Sequence, residues 1–164
     1  MVYTILDFLI YYQKIRIVRK FSNFELKLYR YFFYKTGKTS CPITINGFVF
    51  FFVSNEDYYD AKEKINLLRL NLIKKAALIR MENTLLNLIW ALFPDIYIND
   101  IDIKFNNISK KREILLNFLT SEERKIAVGR NGAYIKAVND LFENYIHFQT
   151  KKYPINLRCE IVPC

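Results

Sequence analysis

At 164 residues and 19.7 kDa the chain has room for one domain with an extension or for two small ones, and a net charge of +9 with a pI near 9.4 points to a polyanionic partner. One histidine, and three cysteines without a C-x-x-C, leave no disulfide framework and no structural zinc set, so no metal or cofactor is expected. The richness in Phe, Tyr, Ile, Asn, Leu and Lys fits AT-rich codons and a gene from an AT-rich genome, plausibly organellar.

In chain order, residues 1–40 combine eight basic residues (Lys14, Arg16, Arg19, Lys20, Lys27, Arg30, Lys35 and Lys38) with Tyr and Phe, against only Asp7 and Glu25. Ile5, Phe8, Leu9 and Tyr12 fall at helical spacing. Cations among aromatic rings suit RNA, where phosphates and unpaired bases are both available; a solvated basic face is the equal alternative. The segment lacks the pattern of a secretory signal, and Asp7 suits no transit peptide. Thr36-Gly37-Lys38-Thr39 looks like the end of a phosphate-binding loop, but Phe32 stands where glycine is required and Pro42 where a helix should start.

Thr39 to Asn55 is the longest run without charge, and its Pro42, Asn46 and Gly47 make it a turn before a buried strand, Phe48–Val53, not a membrane span. Ser54 then caps a basic helix expected to reach about Arg80, with Leu67, Leu68, Ile73, Ala76 and Ala77 inside. A second, apolar helix covers Glu82 to Phe93 and stops at Pro94.

Ile101, Ile103 and Phe105 alternate with polar residues, and Arg112 to Leu119 follows after a polar turn, so a hairpin is expected. Asp100 and Asp102 share one strand face with no acid–base partner, and no catalytic residue is assigned; the chain is not read as an enzyme. Thr120 and Glu123 form a capping-box pattern that starts a short helix. Gly129-Arg130-Asn131-Gly132 follows, and a further helix runs to about Phe148 with Ile135, Val138, Leu141, Phe142 and Tyr145 at helical spacing. Lys151, Lys152 and Pro154 make a loop, and Ile155 to Val162 a final strand.

Two glycines with two residues between them, joining two helices, let bare backbone approach another molecule, and Arg130 adds a phosphate-matching fork. The order helix, strand, strand, helix, G-x-x-G, helix, strand, with Ile126-Ala-Val-Gly-Arg-Asn-Gly-Ala-Tyr-Ile135, resembles the type II KH domain. The fold expected is therefore α+β: a basic aromatic extension over 1–40, a strand and basic helix over 41–80, and a type II KH domain over 81–164. The resemblance implies that Gly129 to Gly132 clamp single-stranded RNA while Ile126 and Ile135 help form the core and groove wall. Arg124, Lys125, Arg130 and Lys136 are added for charge and proximity.

The hairpin, the clamp and Tyr153-Pro154-Ile155-Asn156-Leu157 are similar to the ribosomal protein S-three family of the small subunit. That likeness implies an rRNA-bound component near where mRNA enters, beside other small-subunit proteins, in a mitochondrial matrix; another AT-rich genome would make it cytoplasmic. Leu92-Phe93-Pro94 and the stretch from Thr120 to Gly132 are similar to the NusA-like transcription factor family, with tandem KH units; this likeness ranks second, because the basic, aromatic N-terminal half and the organellar coding favour the ribosomal one. On that likeness Tyr31 to Ile79 would be a degenerate first unit without G-x-x-G.

Overall fold

Strands here arise where β-branched and aromatic runs find partners, and the same path is traced twice. In a computed structural model, residues 10–17, 21–108, 110–148 and 155–162 are described. Ile5, Phe8, Leu9, Arg19, Lys20, the 151–154 loop and Cys164 lie outside them. The chain divides into two compact units, Arg19–Glu82 and Met1–Val18 with Asn83–Cys164, and the basic first forty residues fall in both. Both are mixed α+β, the class that the order of elements in the sequence implies.

The 19–82 unit opens with helix α1, Asn23–Thr36. Ser22 and Glu25 cap it reciprocally, and the inward-turned Glu25 carboxylate also accepts from Thr44 N–H at 3.0 Å, tying helix to hairpin. Strands β2 (Cys41–Ile45) and β3 (Phe48–Val53) pair antiparallel around Asn46-Gly47. Cys41–Ile45 was expected as turn; Pro42 is tolerated because β2 is an edge strand. Helices α2 (Asn55–Glu63) and α3 (Ile65–Arg69) follow, joined at Lys64.

The long helix expected to reach Arg80 ends at Arg69, and Lys75–Arg80 is instead β4, parallel to β3 with Phe51 opposite Leu78. Leu28, Phe32, Val49, Phe51, Tyr58, Leu68 and Leu78 form the core on one sheet face. The phosphate-loop look-alike ends a helix: Gly37 is the left-handed cap of α1 at φ 73°. Lys38 bridges Asp57 and Asp60, and its hydrogen bond to Asp57 holds its ammonium pKa above the ordinary value.

The C-terminal unit repeats that path. Helix α4, Leu85–Leu92, buries Leu85, Leu88, Ile89 and Leu92 at helical spacing. Strands β5 (Asp100–Asn106) and β6 (Lys111–Phe118) form the predicted hairpin, and β8 (Ile155–Ile161) lies parallel to β6 in the order β5-β6-β8. Burial fades along β5: Ile101 is buried, but Phe105, expected inside, is 56% exposed. Between β6 and β8 come α5 (Ser121–Val128) and α6 (Ala133–Asn144). Helix α6 stops four residues before the expected Phe148. Ile146–Phe148 is a strand, β7, paired antiparallel with Ile15–Ile17, β1, because alternating Ile146 and Phe148 bury on that ribbon. Among the described residues no helix is long and apolar enough to cross a membrane.

Candidate nucleic-acid interface

The glycine turn joins two helices that are both fastened to one strand edge. Strand β8 is an edge strand, so one side of its backbone needs partners. Arg124 of α5 donates from Nε to Cys159 O at 3.0 Å. Asn139 of α6 donates to Leu157 O at 3.1 Å and accepts from Leu157 N–H at 2.7 Å. The turn is thereby held at both ends. Arg124, chosen for RNA on charge, is half-buried and serves this edge.

Thr120 Oγ1 accepts from Glu123 N–H at 3.2 Å to start α5; only the hydroxyl half of the predicted box is formed, and Glu123 Oε2 is buried without a hydrogen-bond partner. Gly129 N–H donates to Lys125 O at 2.9 Å, and Gly132 N–H to Gly129 O at 3.1 Å. Three of the four turn residues have positive φ: Gly129 at 79°, Asn131 at 55° and Gly132 at 72°. Asn131 therefore has a conformational role, since asparagine enters this region at little cost. Gly129 is needed twice over: a Cβ there would lie 2.7 Å from Tyr134 Cβ and 2.8 Å from its backbone nitrogen.

Tyr134 had no assigned role in the sequence. Its hydroxyl donates to Leu92 O, and its ring meets Phe93 edge-to-face at 5.7 Å, locking the start of α6 to the end of α4. These partners lie far apart along the chain, so nothing local in the sequence signalled them.

Arg130 and Asn131 are exposed, as are Lys125 and Lys136 on the flanking turns, while Gly129 and Gly132 are half-buried. Helix α6 has no side-chain cap: Gly132 N–H donates to Gly129 O and the N–H of its first residue, Ala133, to Arg130 O, while its dipole still favours an anion at this end. Ile126, expected partly as core, is 64% exposed, and Ile135 is half-buried. An exposed aliphatic beside bare backbone and three cations can take a base and a phosphate side by side. No group of three metal-ligating side chains occurs among the described residues.

Cys159 lies beneath this edge. Burial pushes its thiol up to about 11, with the Arg124 guanidinium opposing. Its neutral form is favoured in the fold, so that contribution is fully present below pH 9 and is lost as pH rises through about 11. The stability difference between wild type and Cys159→Ala, read by urea unfolding, should narrow across that window; a difference constant with pH would contradict it.

No protein-family model matches the chain, and no curated protein matches it. Among solved structures, the crystal structure of APE1850 aligns over 84% of this chain and 100% of its own, with TM-score 0.57 and 21% identity. That likeness concerns the fold alone, and it spans more of the chain than either unit supplies.

Proposed function

We propose that this chain is a non-enzymatic, single-stranded RNA-binding protein of type II KH class, gripping the sugar–phosphate backbone at Gly129 to Gly132. The observation that carries the reading is the turn itself: positive-φ backbone, exposed Arg130 and Asn131, and a helix start without a side-chain cap, on a helix-strand-strand-helix-turn-helix-strand unit. Ile126 offers the apolar contact a base needs.

The same path repeats in the 19–82 unit, where the two later helices meet at Lys64 without glycine and the Lys64 ammonium donates to Thr36 O at 3.1 Å. That repetition favours a NusA-like tandem factor with a degenerate first unit. The second reading is a small-subunit ribosomal component in mitochondria, bound to rRNA among neighbouring proteins. It draws on the +9 charge and on the outer face of α1, where Lys27, Arg30, Phe33 and Tyr34 are exposed.

Binding of labelled single-stranded RNA, followed by anisotropy over a salt series, tests the shared claim. Affinity should fall with a log–log slope of about −0.7 for each phosphate neutralised, and duplex RNA should bind more weakly. Equal affinity for duplex and single strand would count against the clamp. Native protein leaving small subunits in a high-salt gradient selects the regulator; retention selects the ribosomal component.

A further inference from the structure

Strands β1 and β7 form a two-stranded ribbon of their own, with Ile15 opposite Phe148, Arg16 opposite His147 and Ile17 opposite Ile146. The period of two sends Ile15, Ile146 and Phe148 inward and leaves Lys14, Arg16 and His147 exposed. Those three side chains, with Ile15, line a cavity of about 330 Å³. Its size is at the lower end for small-ligand sites. No carboxylate occurs among the described lining residues.

Arg16 and His147 stand directly opposite each other, and a ribbon of three residues a side has little stability to spare. An anion seated between them would give both side chains a shared acceptor and tie the two strands together. We propose that this cavity binds a phosphate group, with the Arg16 guanidinium as a fork, the Lys14 ammonium as a point charge and the His147 ring as a further donor. This site lies on strands other than those flanking the glycine turn and does not depend on the function assigned to that turn. The phosphate can belong to an RNA backbone or to a free nucleotide.

His147 is the chain's only histidine, so its ring protons give one assignable NMR signal in the intact protein. Inorganic phosphate at pH 7 should shift that signal along a saturating curve, and chloride at equal ionic strength should not. Arg16→Gln should weaken the effect about tenfold. Lys14→Gln, just outside the paired residues, should weaken it with the ribbon kept.

A single-stranded RNA pentamer shifting His147 at lower concentration than adenosine monophosphate, with the shift weakened by R130D/N131D, assigns the phosphate to a bound strand. Equal potency, unaffected by that variant, assigns it to a free nucleotide. A linear shift shared by phosphate and chloride, or a saturating one unchanged in both Arg16→Gln and Lys14→Gln, would overturn the proposal.

Discussion

Replacing Arg130 and Asn131 together by Asp is expected to lower affinity for single-stranded RNA about tenfold or more, with the fold intact. Three units of charge change at the turn, each worth about 0.8 kcal/mol at about 5 Å in water, set a ceiling of about 2.5 kcal/mol. Screening at physiological salt reduces this, so the effect should be largest in dilute buffer. Asp enters the left-handed region nearly as readily as Asn, so the φ of 55° at position 131 persists. Both new carboxylates would stand just ahead of α6, where the helix dipole favours them by about 0.3–1 kcal/mol. The variant should therefore melt no lower than wild type while binding RNA less well. Unfolding could not produce that pair of results. Unchanged affinity in dilute buffer would remove the turn from the binding surface.

Gly129→Ala should lower stability by about 3 kcal/mol, a fall of about 10 °C in melting temperature. The backbone at Gly129, φ 79° and ψ 170°, belongs to a region that only glycine occupies freely. Relief by movement is costly, because the crowding atoms are the backbone and Cβ of Tyr134, which Leu92 and Phe93 hold in place. Gly132→Asn is the contrasting variant. Position 132 is also left-handed, at φ 72° and ψ 13°, but a Cβ there meets nothing within 4 Å. Asparagine should cost within about 1 kcal/mol. Thermal melts of the two variants side by side check the difference; equal melting temperatures would mean that the turn is not built as described.

The parts of the fold legible in the sequence were those whose burial follows a local period. Leu85, Leu88, Ile89 and Leu92 announce α4, and Val138, Leu141 and Phe142 announce α6. The glycine turn was legible because its residue types are demanded by backbone geometry. Strand β4 was not. Lys75-Ala-Ala-Leu-Ile-Arg has good helix formers throughout, and parallel pairing with Phe48–Val53 overrides them. Strand β7 was hidden for a similar reason: its partner, Ile15–Ile17, lies more than a hundred residues away. In the site, charge located Arg130, Lys125 and Lys136 on the surface but could not distinguish Arg124, whose guanidinium is engaged by a strand edge. For the 19–82 unit the sequence offered only the likeness of Tyr31 to Ile79 to a unit without G-x-x-G, because its equivalent turn holds Lys64 and no glycine pair.

The most direct test of RNA gripping by bare backbone is the amide spectrum of the intact protein titrated with a short single-stranded RNA. The largest shifts should fall on Gly129, Arg130, Asn131 and Gly132 and on the first turn of α6, with smaller ones at Lys125 and Ile126. A titration in which RNA binds while the signals of Gly129 through Gly132 stay unmoved would contradict the account.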